Sequence, residues 1–284
     1  MAKKIAVIYH ANCPDGFGSA WSAWKKFKDK AEYFATLPRQ MPRKTFEGKE
    51  IYVLDNSLSV KTQKEIRKNN TLVIIDHHES AKDETTAFPE NVFSENLHSG
   101  CVLSWKYFHP GVPVPQILKY VEDIDLWKFS LPLSNDIASH IFGSKFDFKL
   151  WNMHERNLET AMGRKQYAAI GKEINNYINV VTEDAVQKAD LIDFLGYKVL
   201  ASNFSSKRFH SQIGNALVMK KPPMGVVWWI GDGGLHVSLR SSGKFDVSKI
   251  AQHFPDGGGH RNAAGFTIPF KGKFPWKVLK QNEK

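Results

Sequence analysis

Short apolar runs alternate with amphipathic segments in the first third of the chain. Three runs, at residues 5–10, 51–55 and 71–78, are rich in β-branched residues, and each ends in acidic or histidine side chains. Helical patterns lie between them at residues 18–27 and 59–68, the second opening on a serine suited to cap a helix. Continuous apolar strands that alternate with helices predict a parallel sheet covered on both faces.

The later pattern predicts a second, smaller α/β lobe joined to the first by helices. Two helical segments lie within residues 100–125, and a long helical tract covers residues 148–187. Strand patterns and Gly-rich turns dominate after residue 193. We therefore predict an α/β protein with two lobes and a helical connector. The predicted divisions are residues 1–150 for a parallel-sheet catalytic domain, 151–192 for the connector and 193–284 for a substrate-binding domain.

Composition narrows the class of protein. Lys and Arg number 39 against 29 Asp and Glu, which gives a net charge of +10. This charge suits an anionic substrate or nucleic acid, although a basic surface alone would explain it. The two cysteines, Cys13 and Cys101, argue against a disulfide scaffold. No run resembles a signal peptide or a membrane span, so a cytoplasmic protein is expected.

Residue types that bind metals gather at the predicted strand ends. His10 ends the first strand and Asp15 follows in a Pro/Gly turn, while Asp55 and His77 end the next two strands. Ligands bind at the carboxyl ends of parallel strands. Imidazoles and carboxylates without thiolate suit Mn²⁺, Mg²⁺ or Fe rather than structural zinc. Each residue alone has a structural explanation as a turn former, a helix cap or a core histidine.

Five segments resemble, in order, the motifs of the DHH phosphoesterase family. VIIDHHES resembles the signature that names the family, and HANCPDGFGSA and VLDNS resemble its first two motifs. VEDIDLWKF resembles its fourth motif, in which an aromatic residue follows an Asp by four positions. FPDGGGHRNAAGF resembles the glycine-histidine loop of the DHH-associated C-terminal domain. The resemblance covers nearly the whole chain.

The resemblance implies two lobes, with an active site in the cleft between them and a metal pair in the first. The implied metal ligands are His10, Asp15, Asp55, His77 and Asp123. Asp15 would bridge, Asp76 would orient a neighbouring histidine, and His78 would face the scissile phosphate. One or two divalent ions are expected, Mn²⁺ first, with Mg²⁺ or Co²⁺ as alternatives.

The first motif departs from the family pattern. The family has an acid two residues before the last Asp, where this chain has Cys13, and His10 lies one residue closer than usual. A thiolate is a poor ligand for Mn²⁺, so one ion would be held weakly, through water or through Asn12. Alternatively, Cys13 only packs beneath the turn. This substitution leaves the number of metal ions open.

The second lobe is expected to bind the phosphate or nucleotide end of the substrate. Backbone N–H groups of a glycine loop can approach an anion closely, and an arginine can pair with phosphate through two hydrogen bonds. The expected substrate contacts are Arg240, Gly257, Gly258, Gly259 and His260. A flexible loop and a surface charge are the alternatives. His98 and Ser99 precede a helix whose N-terminus could hold an anion, although Ser99 could equally be a plain cap.

The predicted function is a metal-dependent phosphoesterase in which a metal-bound hydroxide attacks phosphorus. The expected substrates are short oligoribonucleotides, 3′-phosphonucleotides such as pAp, or cyclic nucleotides. The alternatives are an inorganic pyrophosphatase-like hydrolase and a catalytically inactive nucleotide-binding module. No membrane and no obligate protein partner is implied, and a homodimer is left open.

Overall fold

A computed structural model describes residues 4–94, 97–255 and 257–279. The chain divides into two compact units, residues 1–175 and 176–284. Each unit contains one β-sheet with helices, and the predicted α/β class is confirmed. The domain boundaries predicted from the sequence stay predictions. Within the described part of the chain, no helix is both long and apolar enough to span a membrane.

The first unit is built on a five-stranded sheet. Its strands are β1 (Ile5–His10), β2 (Ala31–Thr36), β3 (Glu50–Leu54), β4 (Thr71–Asp76) and β5 (Val92–Phe93). They lie in the order β2-β1-β3-β4-β5, and every pairing is parallel. The three predicted strands correspond to β1, β3 and β4, whose apolar residues are buried. Their carboxyl ends therefore lie at one edge of the sheet.

Helices pack on both faces of this sheet, α1 (Pro14–Phe27) and α4 (Gly100–Phe108) on one face and α2 (Val60–Arg67) on the other. The other helices are α3 (Lys82–Thr86), α5 (Gln116–Asp125), α6 (Ser134–Gly143), α7 (Phe148–Leu158) and α8 (Ala161–Gln187), of which α8 continues into the second unit. Ser59 caps α2 by accepting a hydrogen bond from Thr62 N at 3.2 Å, and Asp147 caps α7 through Leu150 N at 2.9 Å. These caps explain why both helices begin where they do.

The largest core of the first unit lies between α1, α4, α5 and α7. Trp21 is fully buried, stacks on Trp105 with ring centroids 5.7 Å apart and contacts Trp151. Cys101 belongs to the same core and, like Cys13, is a free thiol. Burying each large apolar side chain stabilises the fold by roughly 1.5–3 kcal/mol. This core holds the N-terminal ends of α1 and α4 beside the edge of the sheet.

The second unit contains a seven-stranded sheet. Its strands are β6 (Asp190–Phe194), β7 (Tyr197–Asn203), β8 (Met224–Gly231), β9 (Gly234–Ser241), β10 (Gly258–His260), β11 (Ala263–Ile268) and β12 (Lys277–Val278), and its own helices are α9 (His210–Lys220) and α10 (Val247–Ala251). The strand order is β10-β11-β9-β8-β7-β6-β12. β7 and β8 pair in parallel, and the other described pairs are antiparallel.

Candidate metal centre

The carboxyl ends of β1, β3 and β4 bring two histidines to one buried carboxylate. His10 Nδ1 lies 3.3 Å from Asp55 Oδ2, and His77 Nε2 lies 3.3 Å from Asp55 Oδ1. Asp55 is 1% exposed, and its φ of +50° places it in the left-handed region as the chain turns out of β3. This turn aims the carboxylate along the edge of the sheet, between the two neighbouring strands.

Asp15 joins this group from the first turn of α1. Its Oδ2 lies 3.5 Å from His77 Nε2, and the backbone N–H groups of Gly100 and Cys101 donate to its two oxygens at 2.7 and 3.0 Å. The N-terminus of α4 therefore holds a carboxylate of the chain itself, which the helix dipole favours. This helix N-terminus, which the sequence marked as a candidate site for a substrate anion, is occupied by the Asp15 carboxylate.

His98 and Ser99 face a different acid. Ser99 N donates to Glu122 Oε2 at 2.9 Å, and His98 Nδ1 lies 3.1 Å from the same oxygen. Ser99 is fully buried, but its hydroxyl does not cap α4; it lies 3.3 Å from Cys101 Sγ instead. These contacts give both residues a structural role at the start of α4.

The acid that α5 brings to the site is Asp125 and not the predicted Asp123. Asp125 Oδ2 lies 3.5 Å from His77 Nε2. The buried carboxylate of Asp123 instead accepts hydrogen bonds from Ser130 N, at 2.9 Å, and Leu131 N, at 3.2 Å. Its oxygens thus bond the loop that follows α5, and Asp125, not the predicted Asp123, lies among the candidate ligands.

One feature of the sequence could have indicated Asp125. It is the last residue of α5, where the negative end of the helix dipole disfavours an acid. A carboxylate at that position needs another source of stabilisation, and a nearby cation supplies one. The aromatic spacing of the fourth motif favoured Asp123 and concealed this signal.

Asp76 holds His78 in place. Its Oδ1 lies 2.7 Å from His78 Nδ1 and accepts a hydrogen bond from His77 N at 2.8 Å. Burial opposes protonation of both rings, but nearby carboxylates outweigh it and raise the pKa of His77 to about 10 and that of His78 to about 9. His78 Nδ1 also lies 3.8 Å from Asp55 Oδ1, so both histidines of the motif border the same carboxylate.

Opposing pKa shifts of the carboxylates give the site its electrostatic character. Burial, followed by the charges of Asp55 and Asp125, raises the pKa of Asp15 well above its usual range. Burial also opposes ionisation of Asp55, but hydrogen bonds from His10 and His77 hold its pKa well below the usual range. The cluster concentrates negative charge in a poorly solvated place, and in the metal-free chain the imidazoles compensate it.

The donor set fits divalent cations. Within the first unit, the described residues form two groups of three ligand atoms, with the atoms of each group within 4.8 Å of one another: His10, Asp55 and His78, and Asp15, His77 and Asp125. Among the described residues, the buried Asp55 Oδ1 accepts no well-aligned hydrogen bond. Carboxylate oxygens and imidazole nitrogens suit Mn²⁺ or Mg²⁺. The arrangement could hold two ions, one in each group.

Cys13 and Asn12 lie in the turn between β1 and α1. Asn12 adopts the left-handed conformation with φ +57°, and Cys13 is the extended N-cap residue of α1. Burial, followed by the nearby carboxylates, raises the pKa of the Cys13 thiol well above its usual range. Cys13 belongs to neither group of ligand atoms among the described residues. A protonated thiol packed under the turn agrees with this geometry.

In the second unit, Arg240 on β9 is tied into the protein. Its Nη2 donates to Ser211 Oγ at 3.1 Å and its Nη1 donates to Leu239 O at 2.9 Å. Burial lowers its pKa to about 10. A Cβ at Gly214 would lie 2.6 Å from Arg240 Cγ, so this glycine lets α9 pack on the arginine stem.

Two of the three consecutive glycines lie in a strand, where the sequence predicted a substrate-binding glycine loop. Gly258, Gly259 and His260 form β10, which pairs with β11. A Cβ at Gly259 would lie 2.5 Å from Ala263 O, and its φ is +137°. Glycine at this position allows close approach of two backbones. A Cβ at Gly257 would lie 1.9 Å from Ala251 O, so Gly257 is also required by packing.

Comparison with known proteins agrees with this architecture. Residues 196–276 match the DHHA1 domain family. The chain is 29% identical over 303 residues to uncharacterized protein R106 of Acanthamoeba polyphaga mimivirus, covering 96% of this chain and 70% of the relative.

Two solved structures share the fold. A DHH domain from a member of a ribosomal protein family is 16% identical with a TM-score of 0.59, and the match covers 95% of this chain and 84% of the other. RecJ from Thermus thermophilus in complex with Mn²⁺ is 13% identical with a TM-score of 0.53, over 94% of this chain and 50% of RecJ. The predicted resemblance is confirmed: residues 196–276 match the DHHA1 domain family, and the chain shares its fold with a DHH domain and with RecJ.

Proposed function

We propose that this protein is a metal-dependent phosphoesterase. The main support is the cluster at the edge of the parallel sheet, where the buried Asp15 and Asp55 and the more exposed Asp125 each lie within 3.5 Å of His77. Burying two carboxylates beside a third is unfavourable unless cations compensate them. If this position only stabilised the fold, apolar residues could fill it without the free-energy cost of burying charged groups. The cluster is therefore better explained by metal binding than by stability.

The metal, when bound, would act as a Lewis acid toward a phosphoryl group and lower the pKa of a water. The protein supplies position and charge around it. The N-terminus of α4 fixes Asp15 through Gly100 N and Cys101 N, and Asp76 fixes the His78 ring. Partners that orient ligands in this way strengthen metal sites. Asp55 contributes one oxygen toward His10 and the other toward His77.

We propose small nucleotides or short oligonucleotides as substrates and Mn²⁺ as the ion. The net charge of +10 suits an anionic substrate, and the RecJ structure that shares the fold holds Mn²⁺. Arg240 and His260 of the DHHA1 domain remain candidate phosphate contacts, although the hydrogen bonds of Arg240 within the domain already give it a structural role.

A substrate panel tests the proposal. The full chain is incubated with Mn²⁺ and, in turn, pAp, a labelled RNA dinucleotide, bis-p-nitrophenyl phosphate and pyrophosphate. We expect hydrolysis of the nucleotides, and Asp55→Asn should lower it more than about a hundredfold by removing a main electrostatic contribution. Asp184→Asn, at an exposed ion pair with Lys188, is the matched control and should leave the rate unchanged. Turnover confined to pyrophosphate, or full activity of Asp55→Asn, would contradict the proposal.

A further inference from the structure

Two aromatic side chains that follow Asp125 in the sequence are exposed to solvent. Trp127 is 54% exposed and Phe129 is 42% exposed. Their rings contact each other edge to face, with centroids 4.7 Å apart and planes at 82°. Large apolar side chains are usually buried, so an exposed aromatic pair on one short loop is a candidate for a binding surface.

The backbone of this loop is held in an unfavourable conformation. Trp127 has φ +56° and Phe129 has φ +48°, in the left-handed region that bulky residues rarely adopt. The backbone oxygen of Asp123 accepts hydrogen bonds from Lys128 N at 2.8 Å and Phe129 N at 3.3 Å. Such strain persists only where the surroundings impose it, and it is commonly found at ligand-binding sites.

The buried side chain of Asp123 fixes the same loop from the other end. Its carboxylate accepts hydrogen bonds from the Ser130 hydroxyl at 2.6 Å, from Ser130 N and from Leu131 N. Both ends of the aromatic pair are therefore anchored to α5. Since neither ring gains much burial, packing in the core does not explain the unfavourable backbone of this loop. Contact of the two rings with a ligand would explain it.

The loop is close to the metal-binding groups. Asp125, whose carboxylate lies 3.5 Å from His77 Nε2, is two residues before Trp127. Two residues of chain span at most about 7 Å between Cα atoms. A nucleotide whose phosphate lies at the metal centre carries its base one sugar away, and an exposed indole two residues from Asp125 is a candidate to contact that base.

We propose that Trp127 and Phe129 form a stacking surface for a nucleobase of the substrate. The inference rests on the proposed phosphoesterase function and narrows its substrate to compounds that carry a base. Aromatic rings stack on any nucleobase, so the surface favours nucleotides over pyrophosphate without selecting a sequence. Asp123 acts as a positioning residue, because it holds the loop and does not touch the substrate.

The test compares a labelled RNA dinucleotide with the same dinucleotide carrying abasic sugars. Trp127→Ala should lower kcat/KM for the dinucleotide by roughly 5- to 150-fold, as expected for loss of one stacked base. Hydrolysis of the abasic compound should change less than about twofold. Trp127→Phe should retain most activity, because a ring remains. Tyr177→Ala, which removes an aromatic ring of 66% exposure on α8, is the matched control and should change neither rate.

A binding measurement separates this inference from the proposed function. AMP should quench tryptophan fluorescence of the wild-type chain more than that of Trp127→Phe, and ribose 5-phosphate should quench neither. Equal losses on both dinucleotides, or equal quenching of both proteins by AMP, would overturn the stacking surface. If the wild-type chain hydrolyses neither dinucleotide, pAp nor bis-p-nitrophenyl phosphate, the phosphoesterase proposal fails, and the fluorescence result still decides whether Trp127 contacts a base.

Discussion

Gly100 lies between two carboxylates of the candidate metal centre. A Cβ at this position would lie 2.8 Å from Asp15 Oδ2 and 2.8 Å from the Cβ of Asp55. Its N–H also donates to Asp15 Oδ2 at 2.7 Å. Any side chain here would push the carboxylates apart or weaken the hydrogen bond. The residue is thus glycine because of the site beside it.

We predict that Gly100→Ala weakens Mn²⁺ binding at least about tenfold, since displaced ligands lose coordination geometry. Isothermal titration with Mn²⁺ measures the effect. Gly143→Ala is the matched control, because a Cβ there would only make ordinary contact with Ile174 Cδ1 at 3.5 Å. Unchanged Mn²⁺ affinity in Gly100→Ala would show that the two carboxylates do not form part of the binding site.

The two acids of α5 should behave differently when each is replaced by Asn. Asp125→Asn should reduce Mn²⁺ affinity and leave the melting temperature of the metal-free chain nearly unchanged. Asp123→Asn should retain Mn²⁺ affinity but cost about 1.5–3 kcal/mol of stability, because its charged hydrogen bonds to Ser130 and Leu131 are lost. Calorimetric titration and thermal unfolding of both variants measure the difference. The reverse pattern would restore Asp123 as the ligand.

At the residue scale, the sequence indicated most of the side chains that the structure brings together, but it indicated Asp123 where Asp125 lies beside His77. His10, Asp55 and His77 could be predicted from the sequence, because parallel strands end at one edge of the sheet and residues at those ends lie close together. The choice between Asp123 and Asp125 was harder to predict, because two acids two positions apart on a helix point in different directions. Their surroundings, and not their types, decide which one meets His77.

At the scale of elements, α7 is joined to its neighbours through a buried histidine. His154 Nδ1 lies 2.8 Å from the Tyr167 hydroxyl of α8, and Nε2 lies 3.1 Å from Ser144 Oγ after α6. Burial, followed by the charge of His140, lowers the pKa of His154 to about 4. The neutral ring therefore fits this site, and the protonated ring does not.

This pKa predicts an acid-dependent loss of stability. Because the folded-state pKa lies below the ordinary value of about 6.5, protons bind the unfolded chain more strongly. The stabilisation is complete above pH 6.5 and is lost as the pH falls to about 4, by up to about 3 kcal/mol. His154→Gln should flatten the pH dependence of the unfolding free energy in that range. His253→Gln, at an exposed site, is the control, and identical slopes for the wild type and His154→Gln would contradict the prediction.

Strands differed in how far their pattern revealed them. β8 is one of the strands indicated by the patterns after residue 193, since its apolar run is continuous. β2 was missed because AEYFAT mixes a charge with half-buried positions, and β5 because it has two residues. β10 was taken for a loop, since glycines carry no hydrophobic pattern and its pairing with β11 depends on tertiary contact. Local pattern therefore identifies buried strands better than edge strands.

At the scale of the whole molecule, the metal cluster belongs to one compact unit. The ligand atoms of both groups come from residues within 1–175, whereas the DHHA1 domain lies within 176–284. A ligand that binds only the folded state stabilises the structure that holds it, by about 2.7 kcal/mol at a hundred times its dissociation constant. Metal binding should therefore act on the two units unequally.

Hydrogen exchange with mass spectrometry on the full chain measures this inequality. Adding Mn²⁺ should slow exchange in peptides that cover β3, β4 and the start of α4, because these elements supply or orient the ligands. Exchange in β8 and β9 should change little. Asp55→Asn should remove the effect, and Asp184→Asn should preserve it. Equal protection of both units, or none in β3 and β4, would mean that Mn²⁺ does not bind at the carboxyl ends of the parallel strands.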